Sequence, residues 1–184
     1  MEIILSIFLG IGLAAAAGFR VFVPLFVLSL AAHYQMIPLG ESWQWVGSTT
    51  ALIILGLATL VEIFAYYIPF VDNLLDTIAI PLATIAGTLV MASTLVDLSP
   101  VMTWALAIIA GGGSAAAIQS GTAATRLVSS TTTGGVGNNV LATSETATAS
   151  IVSALAIFFP ILAFAVVIFI LFLGFRLFRK FFSK

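Results

Sequence analysis

Arg20 is the only charged residue between Ile3 and Ala32, in a stretch that reads IILSIFLGIGLAAAAGFRVFVPLFVLSLAA. An apolar run of that length, broken by one charge, exceeds what a soluble core helix buries and is long enough to enter a bilayer. The pattern recurs along the chain. Of 184 residues, 61% are hydrophobic and 7% charged, and mean hydropathy is +1.24; soluble domains carry about 25% charged residues. Lipid offers the backbone no hydrogen bonds, so the spanning segments must be helical. The expected fold is all-α: a polytopic transmembrane bundle of about five to six spans at roughly 20 residues each, forming one domain over residues 1–184. The chain has no cysteine and a single histidine, His33, which excludes disulfides, thiolate chemistry and histidine clusters. Glu2 and the absence of an early Lys or Arg argue that the first segment is a retained span and not a cleaved leader.

Segment one, about Ile3 to Ala32, would form on the order of 45 Å of helix, more than the roughly 30 Å hydrocarbon core. It must tilt, protrude or break, and Gly18-Phe19-Arg20 followed by Pro24 is the expected break. Tyr34, Trp43 and Trp45 suit the headgroup level in the following loop. Segment two runs from about Thr49 to Tyr67 and ends at Ile68-Pro69. VDNLLD leads to segment three, about Thr77 to Val96, and the LSP turn at Leu98 to Pro100 makes segment four, about Val101 to Val128, its antiparallel neighbour. Segment five, about Ala149 to Gly174, continues into a basic tail over 175–184 that holds Arg176, Arg179, Lys180 and Lys184. The tail is expected in the cytoplasm by the positive-inside rule, and counting back through five spans puts VDNLLD outside.

Between segments four and five lies RLVSSTTTGGVGNNVLATSE, polar throughout but charged only at Arg126 and Glu145. It is expected to be a re-entrant or partly buried segment that turns at Gly134-Gly135, because exposed irregular backbone is not tolerated in hydrocarbon. GIGLAAAAGFR and GGGSAAAIQSGTAATR echo one another, each ending in an arginine, and suggest a degenerate inverted repeat. Gly12 and Ala16, like Ala83 and Gly87, have the small-xxx-small spacing that lets helices approach closely.

Charges near the middle of membrane segments are costly and mark pathways or sites. Two readings fit them. In one, Arg20 pairs with Glu62, and Arg126 with Glu145 or Asp72, merely pinning the bundle. In the other, Arg20 and Arg126 hold an anion, because a guanidinium binds phosphate or carboxylate bidentately and stays charged when buried. Gly18 and Gly121 would break their helices and free amides for the same anion, with Asn138 and Asn139 nearby. Glu62, Asp72, Asp76 and Glu145 would couple an ion, by proton or sodium. TTTGGVGNN lacks the lysine of a phosphate loop and the acids have no recognised catalytic spacing, so no enzyme activity and no cofactor are expected, and the sequence leaves a metal undetermined.

Three stretches, GLAAAAGFRVFVPLF, EIFAYYIPFVDNLLD and GTAATR with its following NN-x-x-x-x-S-E, resemble the bacterial membrane proteins grouped as domain of unknown function 4126, in the expected order over nearly the whole chain. The resemblance implies that Glu62, Ala65, Ile68, Pro69 and Asp72 match the family's acidic box and that Arg126 and Glu145 match its second motif. Tyr66 and Tyr67 stand where that pattern has an Asp-Lys pair, which removes one acid and one base. The resemblance implies no activity; the charges within the membrane segments favour a small transporter or flippase-like protein for an anionic small molecule or phosphorylated lipid, in a bacterial inner membrane. An ion channel lined by the Thr/Gly segment and a structural or assembly factor are the alternatives. Membrane lipids and the anionic ligand or headgroup are the expected partners, nucleic acid is not, and self-association stays open.

Overall fold

The structure, a computed structural model, describes residues 2–182; Lys184 of the basic tail lies outside them. The described residues form α1 (Glu2–Ala17), α2 (Phe22–His33), a 3₁₀ segment (Glu41–Gly47), α3 (Thr49–Ala65), α4 (Pro69–Thr94), α5 (Pro100–Leu106), a π-helical segment (Ala107–Gly112), α6 (Gly113–Thr133), α7 (Asn138–Phe158) and α8 (Pro160–Phe182). The all-α expectation holds. By length and composition three stretches can cross a membrane: Phe70–Thr94, Pro100–Thr133 and Asn138–Phe158. A fourth appears if Glu41–Gly47 and Thr49–Ala65, bent by 65°, count as one span. The other apolar helices, Ile3–Ala17, Phe22–His33 and Pro160–Arg176, are shorter.

Segment one breaks where expected and then folds back. Residues 18–21 leave the helix, and Pro24 lies inside the first turn of α2, where a missing N–H costs nothing. Leu28 of α2 joins Leu9 and Leu13 of α1 in one apolar cluster, and a cavity of about 440 Å³ brings Leu5 and Leu9 beside Ile37 and Pro38. A continuous helix would hold those residues far apart, so α1 and α2 form a hairpin with Arg20 at its tip. A second reversal separates α3 from α4, which do not pack along one another, and runs through Tyr66–Ile68; Pro69 opens α4 with the ring that fixes a first-turn φ. A third, α6–α7, turns at Gly134 and Gly135, both with positive φ, 63° and 88°. That left-handed geometry is easy for glycine.

Small residues let these helices touch. A Cβ on Gly87 of α4 would stand 2.6 Å from Ala115 Cβ and 2.8 Å from the Gly111 carbonyl oxygen. One on Gly18 would meet the Ala115 carbonyl oxygen at 2.6 Å, and one on Gly12 the Ala156 Cβ at 2.8 Å. Leu13 and Ala14–Ala17 are buried accordingly. Lipid tails are as apolar as leucine, so this close contact, more than transfer from water, holds such helices together. The opposite face of α3 shows Ile53, Ile54, Leu57, Leu60, Val61 and Phe64, each more than half exposed, a surface suited to lipid.

Four expectations are corrected. Segment five is not one span. The helix ends at Phe158, Pro160 starts α8, and α8 folds back along α7: Ala156 and Ala163 flank Gly12, and Val152 and Val167 share a cluster with Ala15 and Ala16. Ile170 and Leu171 then pack beside Phe19, so the basic tail leaves from the same end as the Arg20 turn. A count of single spans instead separates the tail from VDNLLD. Secondly, the ribbon is helical except for Gly134–Gly137; α6 continues through Thr133 and α7 begins at Asn138. Thirdly, Gly121 does not break a helix, lying within α6 with open space where a Cβ would stand. Fourthly, α1 and α6 run in the same direction. Gly10 and Gly111 both meet Met91, and Gly18 meets Ile118, so these two segments are not related by inversion.

Overfilling the close contact tests this packing. Gly87→Val is expected to cost about 1–3 kcal/mol or more. Gly113→Ala, at a helical position with nothing within 4 Å of the added Cβ, should gain roughly 0.5–1 kcal/mol. Thermal unfolding of the purified protein in detergent gives both signs.

Candidate functional site

The three turns meet, and each contributes charge. Arg20 comes from the α1–α2 turn, Glu62 from the last turn of α3, Asp72 and Asp76 from the start of α4, Arg126 from α6, and Asn138 and Glu145 from the start of α7. Arg20 and Arg126 are each only 2% exposed. A buried charge without partners would be prohibitively costly, so every one of these contacts matters for folding.

Glu145 is the common partner. Arg126 grips it with Nε 3.1 Å from Oε1 and Nη2 2.5 Å from Oε2, the bidentate fork that suits guanidinium and carboxylate. Arg20 Nη2 lies 3.3 Å from the same Oε2 and donates to the Ala142 carbonyl oxygen at 2.8 Å, while its Nε donates to Thr146 Oγ1 at 3.0 Å. Arg126 Nη1 reaches further, donating to Asp72 Oδ1 and standing 3.8 Å from Asp76 Oδ1. Asn138 Nδ2 then donates to Asp72 Oδ2 at 3.2 Å and to Ser130 Oγ at 3.0 Å.

Tyr66 lies between the two cations. The Arg20 guanidinium carbon is 3.7 Å from the ring centroid and that of Arg126 is 4.6 Å away. The π-face attracts cations, and one ring serving two guanidiniums offsets part of their mutual repulsion. Tyr67 is exposed and donates its hydroxyl to Thr143 Oγ1 at 2.8 Å, bridging the α3–α4 turn to α7.

Glu62 has a different partner from the one expected. Its carboxylate accepts the backbone N–H of Val21 at 2.7 Å and of Phe22 at 2.9 Å. The break in segment one frees the first amides of α2, and a carboxylate from α3 caps them, where the helix dipole favours negative charge. Arg20 pairs with Glu145 instead. The freed amides are thus occupied by Glu62, and the Gly18 amide bonds the Ala15 carbonyl oxygen. Gly18 serves the close approach of α1 to α6, Gly121 lies outside the network, and Asn139 is exposed.

Ser130, Thr146 and the Ala142 carbonyl were not foreseen. Ser130 follows Arg126 by four residues and so shares its helix face, a spacing that could have found it. Thr146 adjoins Glu145 but is polar like all its neighbours, so nothing distinguished it. Among the described residues no group of three acidic, histidine or cysteine side chains converges to hold a metal ion. His33 lies apart, its Nδ1 2.9 Å from the Gly47 carbonyl oxygen.

Helices with lipid-compatible outer faces and a buried polar centre define an integral membrane protein with an internal ion-pair network. The chain belongs to the domain of unknown function 4126 family, whose family model it matches over residues 7–180. No curated protein and no solved structure matches it.

Partner removal should separate the two parts of the network. Arg126→Ala strands Asp72 and Glu145 and is expected to cost about 3–5 kcal/mol. Glu62→Ala removes a helix cap and should cost about 1–2 kcal/mol. Thermal melts in one detergent rank them; equal losses would show that Arg126 is not the more heavily used partner.

Proposed function

We propose that this protein is a small transporter or flippase-like carrier for an anionic small molecule or a phosphorylated lipid headgroup, coupled to protons or sodium. The observation that supports this reading most is that two buried guanidiniums converge on one carboxylate oxygen of Glu145. A protein carboxylate sits there in the place an anionic cargo would take. Phosphate or carboxylate arriving at Arg20 and Arg126 would exchange with Glu145, and the displaced acid would take up a cation to leave its ion pairs. The exchange links cargo binding to ion binding within one network.

Conversion of such a network between two sets of pairs needs hinges, and the three turns at Gly18–Val21, Tyr66–Ile68 and Gly134–Gly137 provide them. The cargo is carried unchanged, so no enzyme chemistry is involved. The basic tail, with Arg176, Arg179 and Lys180 exposed, favours a cytoplasmic C-terminus in a bacterial inner membrane, and the network then lies toward the cytoplasmic end. The channel reading gains less support: exposed hydroxyls of the ribbon, such as Thr132 and Ser144, donate to carbonyls of their own helices.

Proteoliposomes test the carrier with two probes, inorganic phosphate and a fluorescent phosphorylated lipid. Arg20→Lys keeps the charge but loses the fork, and Glu145→Gln removes the displaced acid. Each is expected to slow flux of the transported probe roughly tenfold or more, as loss of a charge-assisted hydrogen bond worth about 1.5–3 kcal/mol implies. Wild-type flux in both folded variants, or unitary conductance in planar bilayers, overturns the carrier.

A further inference from the structure

The network contains four carboxylates, Glu62, Asp72, Asp76 and Glu145, and two guanidiniums, Arg20 and Arg126, so with every group ionised it holds two uncompensated negative charges. The acids are not equivalent. Glu62 accepts two backbone N–H groups, Glu145 accepts two N–H groups from Arg126 and is ion-paired with Arg20, and Asp72 accepts one from Arg126 and one from Asn138. Asp76 Oδ1 is buried with no donor, and its nearest cation, Arg126 Nη1, stands 3.8 Å away while donating to Asp72.

A second buried oxygen on the same flank lacks a donor. Asn138 is 5% exposed, its Nδ2 is spent on Asp72 and Ser130, and its Oδ1 has no partner. Turning the amide round would place oxygen against the Asp72 carboxylate, so the orientation is fixed by its neighbour. The Asp72 side of the network therefore has more acceptors than donors. The spare donor, Arg20 Nη1, belongs to the residue bonded to Ala142, Thr146 and Glu145. Buried acceptors left bare are costly, and a single proton supplies both a donor and a compensating charge.

We propose that Asp76 is the exchangeable proton carrier of this network, taking up one proton on its carboxylate to become the neutral acid. Its coupling role rests on the transporter reading; its proton binding does not. Asp76 also has the access the role requires, with its side chain 23% exposed while those of Arg126, Asp72 and Glu145 are 2%, 4% and 8% exposed. The charged groups that face it are Asp72 on its own helix, Arg126 on α6, Glu145 on α7 and Arg20 at the α1–α2 turn, with the Tyr66 phenol beside them. Glu62 is turned to the α2 amides. Loss of the Asp76 proton raises the negative excess next to Arg126 and strengthens that arginine's hold on the acids. Uptake relaxes it and readies Arg126 for an incoming anion.

The test uses the full-length protein in detergent without cargo, so a failure of transport leaves it independent. A group that holds its proton more tightly folded than unfolded gives stability that fades as pH rises through the folded value. Wild-type thermal stability should therefore fall as pH rises out of the acid range, and Asp76→Asn, which fixes the neutral form, should lose that dependence. Infrared difference spectra between low and high pH provide a second readout, in which a carboxylic-acid carbonyl band present in wild type should vanish in Asp76→Asn. An unchanged band or an unchanged pH profile in Asp76→Asn overturns the assignment. So does stabilisation of wild type at high pH by sodium but not by potassium, abolished in the variant, because the site would then hold sodium.

Discussion

The Arg126–Glu145 pair joins α6 to α7 seven or more residues from the turn that connects them in sequence, and Arg126 also reaches α4 through Asp72. Arg20 adds the α1–α2 turn to the same carboxylate. Remove that oxygen pair and two guanidiniums buried to 98% lose their common counter-charge. Buried ion pairs rarely improve stability over apolar side chains of the same volume. A chain that could have filled this space with leucine instead carries six charged side chains there, and part of the cost is offset by Tyr66, by helix amides and by hydroxyls.

Close packing and the polar network depend on each other. Glycine and alanine on α1, α4 and α6 bring backbones near enough that Gly18 touches Ala115 and Gly87 touches Gly111. At that separation the side chains one or two turns further along can interdigitate across the bundle, and Arg20 and Arg126 can share one carboxylate. The α1–α2 break is equally coupled to the site. It frees two amides, and Glu62 satisfies both, so the turn that positions Arg20 is itself held by a neighbouring acid.

Much of this was legible. Length and apolarity required helices in lipid; Gly18 to Arg20 signalled a break, Ile68-Pro69 a boundary, and Gly134-Gly135 a turn. The pairing of Arg126 with Glu145 or Asp72 was also readable, because a buried guanidinium must find carboxylates and few were within reach. The partner of Glu62 was not readable, since backbone amides exposed by a break three-dimensionally adjacent to α3 leave no mark in the sequence. The fold-back at Pro160 was hidden for a different reason. Apolar residues continue on both sides of it, and hydropathy does not distinguish one long span from two packed half-length helices. The direction of α1 relative to α6 depends instead on the fold-back at residues 18–21, which adds a passage between them that a single span in segment one would not have.

The Ser/Thr-rich stretch after Arg126 shows how composition can mislead about environment. Its hydroxyls at Thr131, Thr132 and Thr133 donate to carbonyls three or four residues back. Such back-bonding makes a polar-reading helix tolerable against lipid and bends it readily. Thr133 goes further: its oxygen accepts the Gly137 amide at 3.0 Å and so braces the tip of the hairpin. The stretch is uncharged because it forms the two helices that carry Arg126 and Glu145 to one another, and an unpaired charge on their outer faces would compete for the partners that the buried network requires.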